Sequence, residues 1–273
     1  MYFGIFKELR SLNLPHSHDM DLYEGYYSEF YEALTDRTEY DIELLAEQAE
    51  RVRGQGRILE LACGAGRVLI QLARRGHSTL GLDLSPDMLA LYRRKSVRLP
   101  ENVRGRIEVG QADMTSFVQA EKFPLIVLSA TSVSLLPDMA SVERMLETVY
   151  AHLEEGGRFV FDYVYENSEH NREMRDGKVD GVTIDLGPDH KQFVLMGEHE
   201  EHDSRKAVMN FYAEVVQGGS TRRYFGSTSK SFFPEAQILD CVNRSSLKLI
   251  ETHTYPADQA PVRCLVLEKG KVS

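Results

Sequence analysis

A glycine-broken turn separates an apolar strand pattern from a helical pattern in RILELACGAGRVLIQLARRG, residues 57–76. Glycine allows a backbone to approach a ligand closely, and the first turn of a helix presents free N–H groups. Such a turn suits a ligand that carries a carboxylate, a phosphate or a ribose. A dinucleotide-binding fingerprint needs a third small residue three positions after Gly66, where this chain has Leu69. The turn therefore disfavours nicotinamide and flavin cofactors.

Two acidic residues accompany the turn. Glu60 lies inside the apolar strand pattern before it, and Asp83 ends the next strand pattern, seventeen residues after Gly66. A buried carboxylate is costly unless it is paired, so we expect Glu60 to accept hydrogen bonds from the turn or to lie near a cation. A carboxylate at the position of Asp83 is suited to bind a ribose diol. Either acid alone also fits a capping or turn role, whereas their combination with the glycine turn indicates a ligand site.

Alternating strand and helix patterns must position these residues. Strand patterns occupy residues 57–62, 78–83, 106–113, 123–130 and 157–164, with helical patterns at 68–75, 86–98 and 138–153. This alternation predicts a parallel sheet covered on both faces. Two further helical patterns, 21–34 and 39–52, precede the first strand, and residues 179–229 alternate as antiparallel strands do. We expect an α/β fold with a doubly wound, mostly parallel seven-stranded Rossmann-like sheet, an N-terminal helical cap and an antiparallel β lid insertion.

The glycine turn lies in ELACGAGR, residues 60–67, and two further motifs follow it, GLDLSPDML at residues 81–89 and QADM at 111–114. In combination, these three motifs resemble the class I S-adenosylmethionine-dependent methyltransferases, especially the bacterial small-molecule branch that includes sugar-amine N-methyltransferases. ELACGAGR, residues 60–67, is similar to the acidic first motif of the family. GLDLSPDML, residues 81–89, is similar to its ribose-binding strand end, and QADM, residues 111–114, to its adenine-contacting segment. SATS, residues 129–132, corresponds to the loop that passes the sulfonium. The resemblance covers residues 21–165 and implies S-adenosyl-L-methionine as the cofactor.

The resemblance implies a role for each residue that matches a motif. The first-motif residues surround the amino-acid moiety of the cofactor, Asp83 binds the ribose hydroxyls, and Asp113 accepts a hydrogen bond from adenine N6. Three apolar side chains pack on the adenine ring. The cofactor-binding residues expected on this basis are Tyr27, Glu60, Ala62, Gly64, Gly66, Arg67, Asp83, Leu84, Met88, Asp113, Met114 and Ser129.

The N-terminal helical pattern carries a second, looser similarity. YYSEFYEAL, residues 26–34, looks like the YYDxxY stretch that lies over the cofactor in the sugar-amine branch. This similarity implies that Tyr27 and Tyr31 contact the cofactor carboxylate and the active-site mouth. Tyr31 and His170 are the candidate catalytic residues. The same tyrosines belong to an aromatic stripe at helical spacing, which is more typical of a core, so both interpretations stay open.

Composition and missing motifs exclude several classes of partner. A formal net charge of −10 over 273 residues, without a basic stripe, disfavours nucleic acid. Three separate cysteines without CxxC spacing argue against a disulfide framework and a zinc site, and GEHEEHD, residues 197–203, lacks metal-binding spacing. We therefore predict no metal. No apolar run is long enough to span a membrane, so we expect a cytoplasmic protein without membrane partners.

The sequence thus predicts an enzyme that moves a methyl group from S-adenosyl-L-methionine to nitrogen or oxygen of a small polar metabolite. A non-catalytic S-adenosylmethionine-binding regulatory module and an NAD-dependent oxidoreductase are the alternatives. The expected domains are a helical arm and cap over residues 1–53, a cofactor-binding core over 54–165 and 231–273, and a lid over 166–230. The sequence makes no prediction of oligomeric state.

Overall fold

The computed structural model of the protein describes residues 1–35, 39–165, 177–185, 189–201, 205–255 and 261–270. The contacts within the chain divide it into two compact units. The smaller unit combines residues 1–31 with the described part of 167–232, and the larger unit combines 32–166 with 233–273. Each unit has its own sheet and its own apolar core.

The helices and strands of the described residues are numbered along the chain. The helices are α1 (Gly4–Ser11), α2 (Gly25–Thr35), α3 (Ile42–Arg51), α4 (Arg67–Arg74), α5 (Pro86–Ser96), α6 (Glu101–Arg104), α7 (Met139–His152) and α8 (Glu235–Arg244). The strands are β1 (Ser17–Met20), β2 (Ile58–Leu61), β3 (Thr79–Asp83), β4 (Ile107–Gln111), β5 (Phe123–Leu128), β6 (Leu153–Val164), β7 (Val179–Asp185), β8 (His190–Glu201), β9 (Lys206–Gln217), β10 (Ser220–Ser231), β11 (Leu247–Tyr255) and β12 (Val262–Lys269). A short 3₁₀ helix, Ser132–Leu135, follows β5.

The larger unit is built on a sheet whose described strands lie in the order β11, β12, β6, β5, β2, β3, β4. The first five strands of this sheet along the chain are parallel, and β11 and β12 add an antiparallel edge. From the central β2 the chain runs outward to β3 and β4 and then returns to β5 on the other side. This reversal creates a topological switch point between β2 and β5, where ligands of open α/β sheets bind at the carboxyl ends of the strands.

Helices cover both faces of the parallel sheet because its central strands β2 and β5 are apolar apart from Glu60. All residues of β2 and β5 are buried. Successive side chains alternate between the two faces. Leu59 and Leu61 belong to the core with α7 and α8, while Ile58 belongs to the core with α3 and α4. The predicted α/β fold class with its seven-stranded, mostly parallel sheet is confirmed.

Each predicted strand and helix of the larger unit occurs, with bounds that differ by a few residues. The largest difference is in β6, which begins at Leu153 instead of residue 157 because it continues directly from the end of α7. Among the described residues, no helix is long and apolar enough to cross a membrane.

The smaller unit has a sheet in the order β1, β10, β9, β8, β7. Its four long strands are antiparallel, as the sequence predicts for this region. The short strand β1 pairs in parallel with β10, a pairing that no pattern in the sequence indicates. The aromatic face of α2 packs on the same sheet. The role of this sheet as a lid stays a prediction.

The division of the chain into units differs from the three expected domains at the N-terminus. Residues 1–31 belong with the antiparallel sheet because β1 joins that sheet and the aromatic face of α2 packs against it. Helix α3 instead packs against the parallel sheet through Ile42, Leu45 and Ala49. The expected helical arm over residues 1–53 therefore contributes to two separate cores.

Tyr27 lies in the core of the smaller unit. Its side chain is fully buried, its hydroxyl donates to the backbone oxygen of Tyr224 at 2.8 Å, and its ring contacts Phe211. A Cβ atom at Gly226 would come within 2.8 Å of this ring. Burial raises the pKa of the Tyr27 hydroxyl. Of the two interpretations of the aromatic stripe, the structure supports the core role for Tyr27, because its polar atom is already bound inside the unit.

We expect Tyr27→Phe to lower the free energy of unfolding by about 0.5–1.5 kcal/mol, since it removes one buried hydrogen bond. Tyr26→Phe is the matched control, because the Tyr26 hydroxyl donates to Gln192 Oε1 in a partly exposed setting. This variant should lower the free energy of unfolding by less than Tyr27→Phe does. Equilibrium denaturation of both variants measures the difference. Unchanged stability of Tyr27→Phe together with weakened ligand binding would contradict the core role.

Candidate functional site

The turn between β2 and α4 requires glycine for steric reasons. Ala62, Gly64 and Gly66 all have positive φ, at 51°, 53° and 84°. A Cβ atom at Gly66 would come within 2.6 Å of the Tyr92 ring, and one at Gly64 within 3.1 Å of Met88 Cε. Residues other than glycine rarely adopt this backbone conformation. A side chain at Gly66 would also collide with the Tyr92 ring, whereas one at Gly64 would require a small shift of Met88. The turn is thereby held at the switch point with its backbone close to α5.

Asp83 ties the turn to the end of β3. Its Oδ2 accepts a hydrogen bond from Gly64 N–H at 2.7 Å, and its Oδ1 accepts one from Ser85 N–H at 2.8 Å. Burial raises the pKa of the Asp83 carboxyl, and these two N–H donors oppose that shift. Each carboxylate oxygen has a second lone pair, so the side chain is still able to accept hydrogen bonds from a diol.

Glu60 caps α4 from within the sheet. Gly66, the N-cap residue, has no side chain to satisfy the free N–H groups of the first turn. Glu60 supplies the missing acceptor, since its Oε2 accepts a hydrogen bond from Leu69 N–H at 3.2 Å. Burial raises the pKa of Glu60 well above its usual range, and the charge of Arg67 opposes the shift. The hydrogen bond comes from the first turn of α4 and not from the glycine turn, whereas the nearby cation that the sequence suggests is present as Arg67. Contact between Glu60 and a ligand stays a prediction.

Arg67, the first residue of α4, forms a buried ion pair with Asp41. Two guanidinium nitrogens donate to the two oxygens of Asp41 at 2.6 and 2.5 Å. The side chains are only 13% and 4% exposed. The guanidinium also donates to Ser129 Oγ at 3.4 Å. Arg67 and Ser129, both predicted site residues, are thus brought together. Asp41 is missed by the sequence patterns, because its only local signal is its place just before a helix.

A second buried carboxyl organises the backbone after β5. Asp162 in β6 accepts hydrogen bonds from Thr131 N–H at Oδ1 and from the Tyr40 hydroxyl at Oδ2, both at 2.7 Å. Burial, with the added charge of Asp41, raises the pKa of Asp162 to about 7. Ala130 and Thr131 both have positive φ, at 56° and 55°. Neither Asp162 nor Tyr40 stands in a motif, so the sequence alone does not indicate this cluster.

The residues expected around adenine lie just after β3, in α5 and just after β4. Leu84 is exposed, Met88 is buried beneath Gly64, and Met114 packs against the core. Asp113 Oδ1 accepts hydrogen bonds from both the N–H and the hydroxyl of Thr115, at 2.7 Å each. Asp113 therefore closes a local turn, and its expected contact with adenine stays a prediction.

Of the two candidate catalytic residues, only Tyr31 is among the described residues, and it belongs to the smaller unit. Tyr31 is a partly buried member of the aromatic cluster in the smaller unit, and its ring meets the ring of Tyr23 edge to face. His170 lies outside the described residues. The catalytic roles of both residues stay predictions.

Residues 58–157 match the family model described as a methyltransferase domain. Over 110 residues the chain is 31% identical to a Geobacillus protein named as a methyltransferase, covering 40% of this chain and 43% of that protein. Over 105 residues it is 32% identical to the dTDP-3-amino-3,4,6-trideoxy-alpha-D-glucopyranose N,N-dimethyltransferase of Streptomyces venezuelae, covering 38% of this chain and 41% of the relative. The chain thus spans less than half the length of these two relatives.

Solved structures share the fold over most of the chain. The S-adenosylmethionine-bound structure of an amino pentose methyltransferase from Micromonospora echinaspora matches with a TM-score of 0.66 at 21% identity. The match covers 91% of this chain and 99% of that one. This likeness establishes the fold. The domain match and the relatives named as methyltransferases confirm the resemblance to the S-adenosylmethionine-dependent methyltransferases.

We expect Arg67→Ala to lower the free energy of unfolding by about 3–5 kcal/mol, because it leaves Asp41 buried without its partner. Arg244→Ala is the matched control in the same unit, since its ion pair with Glu143 is exposed and such pairs contribute about 0–1 kcal/mol. Denaturant unfolding of the two variants measures the difference. Equal losses in Arg67→Ala and Arg244→Ala would contradict an energetically coupled pair of Arg67 and Asp41. The double variant Arg67→Ala with Asp41→Ala should recover part of the loss, because no buried carboxylate is then left without its partner.

Proposed function

We propose that this protein is an S-adenosylmethionine-dependent methyltransferase that moves a methyl group to nitrogen or oxygen of a small polar metabolite. One observation carries the proposal: the carboxylate of Asp83 is hydrogen-bonded to Gly64 of the glycine turn, at the switch point of the parallel sheet. The turn offers backbone N–H groups to a carboxylate, and Asp83 offers acceptors to a ribose diol. The methyltransferase-domain match supports this assignment.

The residues of the site fit this cofactor. Gly64 and Gly66 have positive φ and carry no side chain, so neither residue has a side chain to cover the backbone N–H groups of the turn. Leu84, exposed at the end of β3, offers an apolar surface to a flat ring. The bound cofactor would supply a methyl group already activated on a sulfonium. The protein's own task is then to align the acceptor and exclude water.

The relatives guide the choice of acceptor. The Streptomyces relative is named for an amino sugar, and the Micromonospora structure for an amino pentose. A neutral amine attacks a sulfonium methyl group without a general base, whereas a hydroxyl benefits from one. A small, polar, amine-bearing metabolite is therefore the first acceptor to test. An NAD-dependent oxidoreductase is less well supported, because Leu69 occupies the third small position of a dinucleotide fingerprint and is fully buried. A non-catalytic regulatory module is less well supported, because the relatives are named as methyltransferases.

We expect Asp83→Ala to weaken binding of S-adenosylhomocysteine by about 1.5–3 kcal/mol, the usual loss for a hydrogen bond to a charged group. Titration calorimetry measures the affinity. Asp240→Ala is the control, because this exposed carboxylate lies on α8 and pairs with Arg244. Unchanged affinity of Asp83→Ala would rule out its ribose role, and binding of NAD in place of S-adenosylhomocysteine would overturn the proposed function.

We expect a screen with methyl-labelled cofactor to show transfer to small amines or hydroxyl compounds. Gly66→Ala should abolish this transfer, because φ at this position is positive and the new Cβ would meet the Tyr92 ring. Gly270→Ala is the control, since nothing lies within 4 Å of a Cβ atom there. Methylation of nucleic acid or intact protein, with no small molecule accepted, would contradict the proposed acceptor class.

A further inference from the structure

Two consecutive residues after β5 adopt a backbone conformation that is unusual for their type. Ala130 and Thr131 have φ of 56° and 55°, in the left-handed region that favours glycine. Such residues cost on the order of 1 kcal/mol or more each and persist only where their surroundings hold them. Strain of this kind is concentrated at functional sites, so the position of the two residues matters.

The strained pair begins beside the glycine turn. Leu128, the last residue of β5, is the register partner of Leu61, the last residue of β2. The backbone of Ala130 and Thr131 and the backbone of the glycine turn therefore leave the sheet at the same edge. Ser129, which precedes the strained pair, accepts a hydrogen bond from Arg67 at the end of that turn.

Asp162 supplies the contact that holds the strained pair. Its neighbour Phe161 is the register partner of Leu128, so Asp162 lies level with the start of the loop. The side chain is almost wholly buried, and Oδ1 accepts the Thr131 N–H at 2.7 Å. Thr131 is partly buried, and a backbone N–H group that is shielded from water needs an acceptor, which apolar packing does not supply.

The other oxygen of Asp162 extends the connection to a third segment. Oδ2 accepts the hydroxyl of Tyr40 at 2.7 Å. Tyr40 directly precedes Asp41, whose carboxylate holds Arg67 at the start of α4. One buried carboxyl thus links the exit of β5, the approach to α3 and, through the ion pair, the glycine turn.

Burying this carboxyl is costly for the fold. Besides Tyr40, the groups that act on it electrostatically are Asp41 and Arg67, and Cys264 is its register partner on β12. Asp41, Glu60 and Asp162 share the single guanidinium of Arg67. A buried cluster of charged groups often stabilises a core no more than apolar residues of similar volume would, so a contribution to stability does not explain this cluster. Its geometry, which fixes the loop beside the glycine turn, is better explained by a role in the site.

We propose that Asp162 is a positioning residue, which holds Ala130 and Thr131 together with Tyr40 in the arrangement that the cofactor site needs. It acts through Thr131 N–H and the Tyr40 hydroxyl and does not touch the reacting atoms. The inference rests on the proposed function, because the ligand concerned is the cofactor named there.

The test compares three variants by titration calorimetry with S-adenosylhomocysteine and by amide hydrogen exchange at Thr131. Asp162→Ala should weaken binding at least about tenfold and remove the protection of the amide, because both hydrogen bonds are lost. Asp162→Asn should stay within about threefold of the wild type, since the amide accepts from Thr131 and donates to the Tyr40 oxygen. Tyr40→Phe loses one of the two bonds and should lie between them, which keeps the test valid if Asp162→Ala does not fold.

Phe159→Leu is the matched control for a general loss of stability. Phe159 is fully buried on the same strand and stacks on Phe161 away from the carboxyl cluster. This variant should unfold more easily and bind S-adenosylhomocysteine as the wild type does. If Asp162→Ala behaves in the same way, or if Asp162→Asn binds as weakly as Asp162→Ala, the positioning role is wrong while the proposed function stands. If the wild type itself does not bind, the proposed function fails and this inference fails with it.

Discussion

The pairing of β2 with β3 on one side and with β5 on the other is the constraint on which the candidate site depends. Leu61 is the register partner of Leu82 and of Leu128, so the three strands end level with one another. Parallel strands in register deliver their following loops to the same edge of the sheet. The glycine turn, Asp83 and the loop after β5 meet there because the strands do, although they are far apart in the chain.

Buried carboxyl groups outnumber buried cations at this edge. Glu60, Asp83 and Asp162 all have raised pKa values, with burial as the largest cause. Arg67 is the cation that opposes two of these shifts, and its pairing with Asp41 already uses both of its terminal nitrogens. A cation bound nearby would lower these pKa values and favour the charged carboxylates, so the region is suited to a positively charged ligand. Under the proposed function, the cofactor brings a sulfonium and an ammonium group, which suit such a region.

The smaller unit depends on a different kind of contact. Its core is made of aromatic side chains from α2 and of apolar residues from β8 and β9. The ring of Tyr27 fills part of this core, and its hydroxyl donates a hydrogen bond to the backbone oxygen of Tyr224 in β10. Segments that lie far apart in the chain thus meet in this unit. Strand β1 pairs with β10, and α2 packs on β8 and β9. Such nonlocal pairing has no periodic signature in the sequence.

The sequence by itself determined the alternation of strands and helices, the glycine turn with Glu60 and Asp83 beside it, and the antiparallel region. These features are local, because side-chain periodicity and glycine conformation act within a few residues. Only the tertiary structure decided that Asp41 pairs with Arg67, that Asp162 binds Tyr40 and Thr131, and that Tyr27 belongs to a core. Each of these contacts joins residues far apart in the chain, and the type of a residue does not specify which distant residue becomes its partner. The fold selects the partner by bringing strand ends and helix starts to the same place.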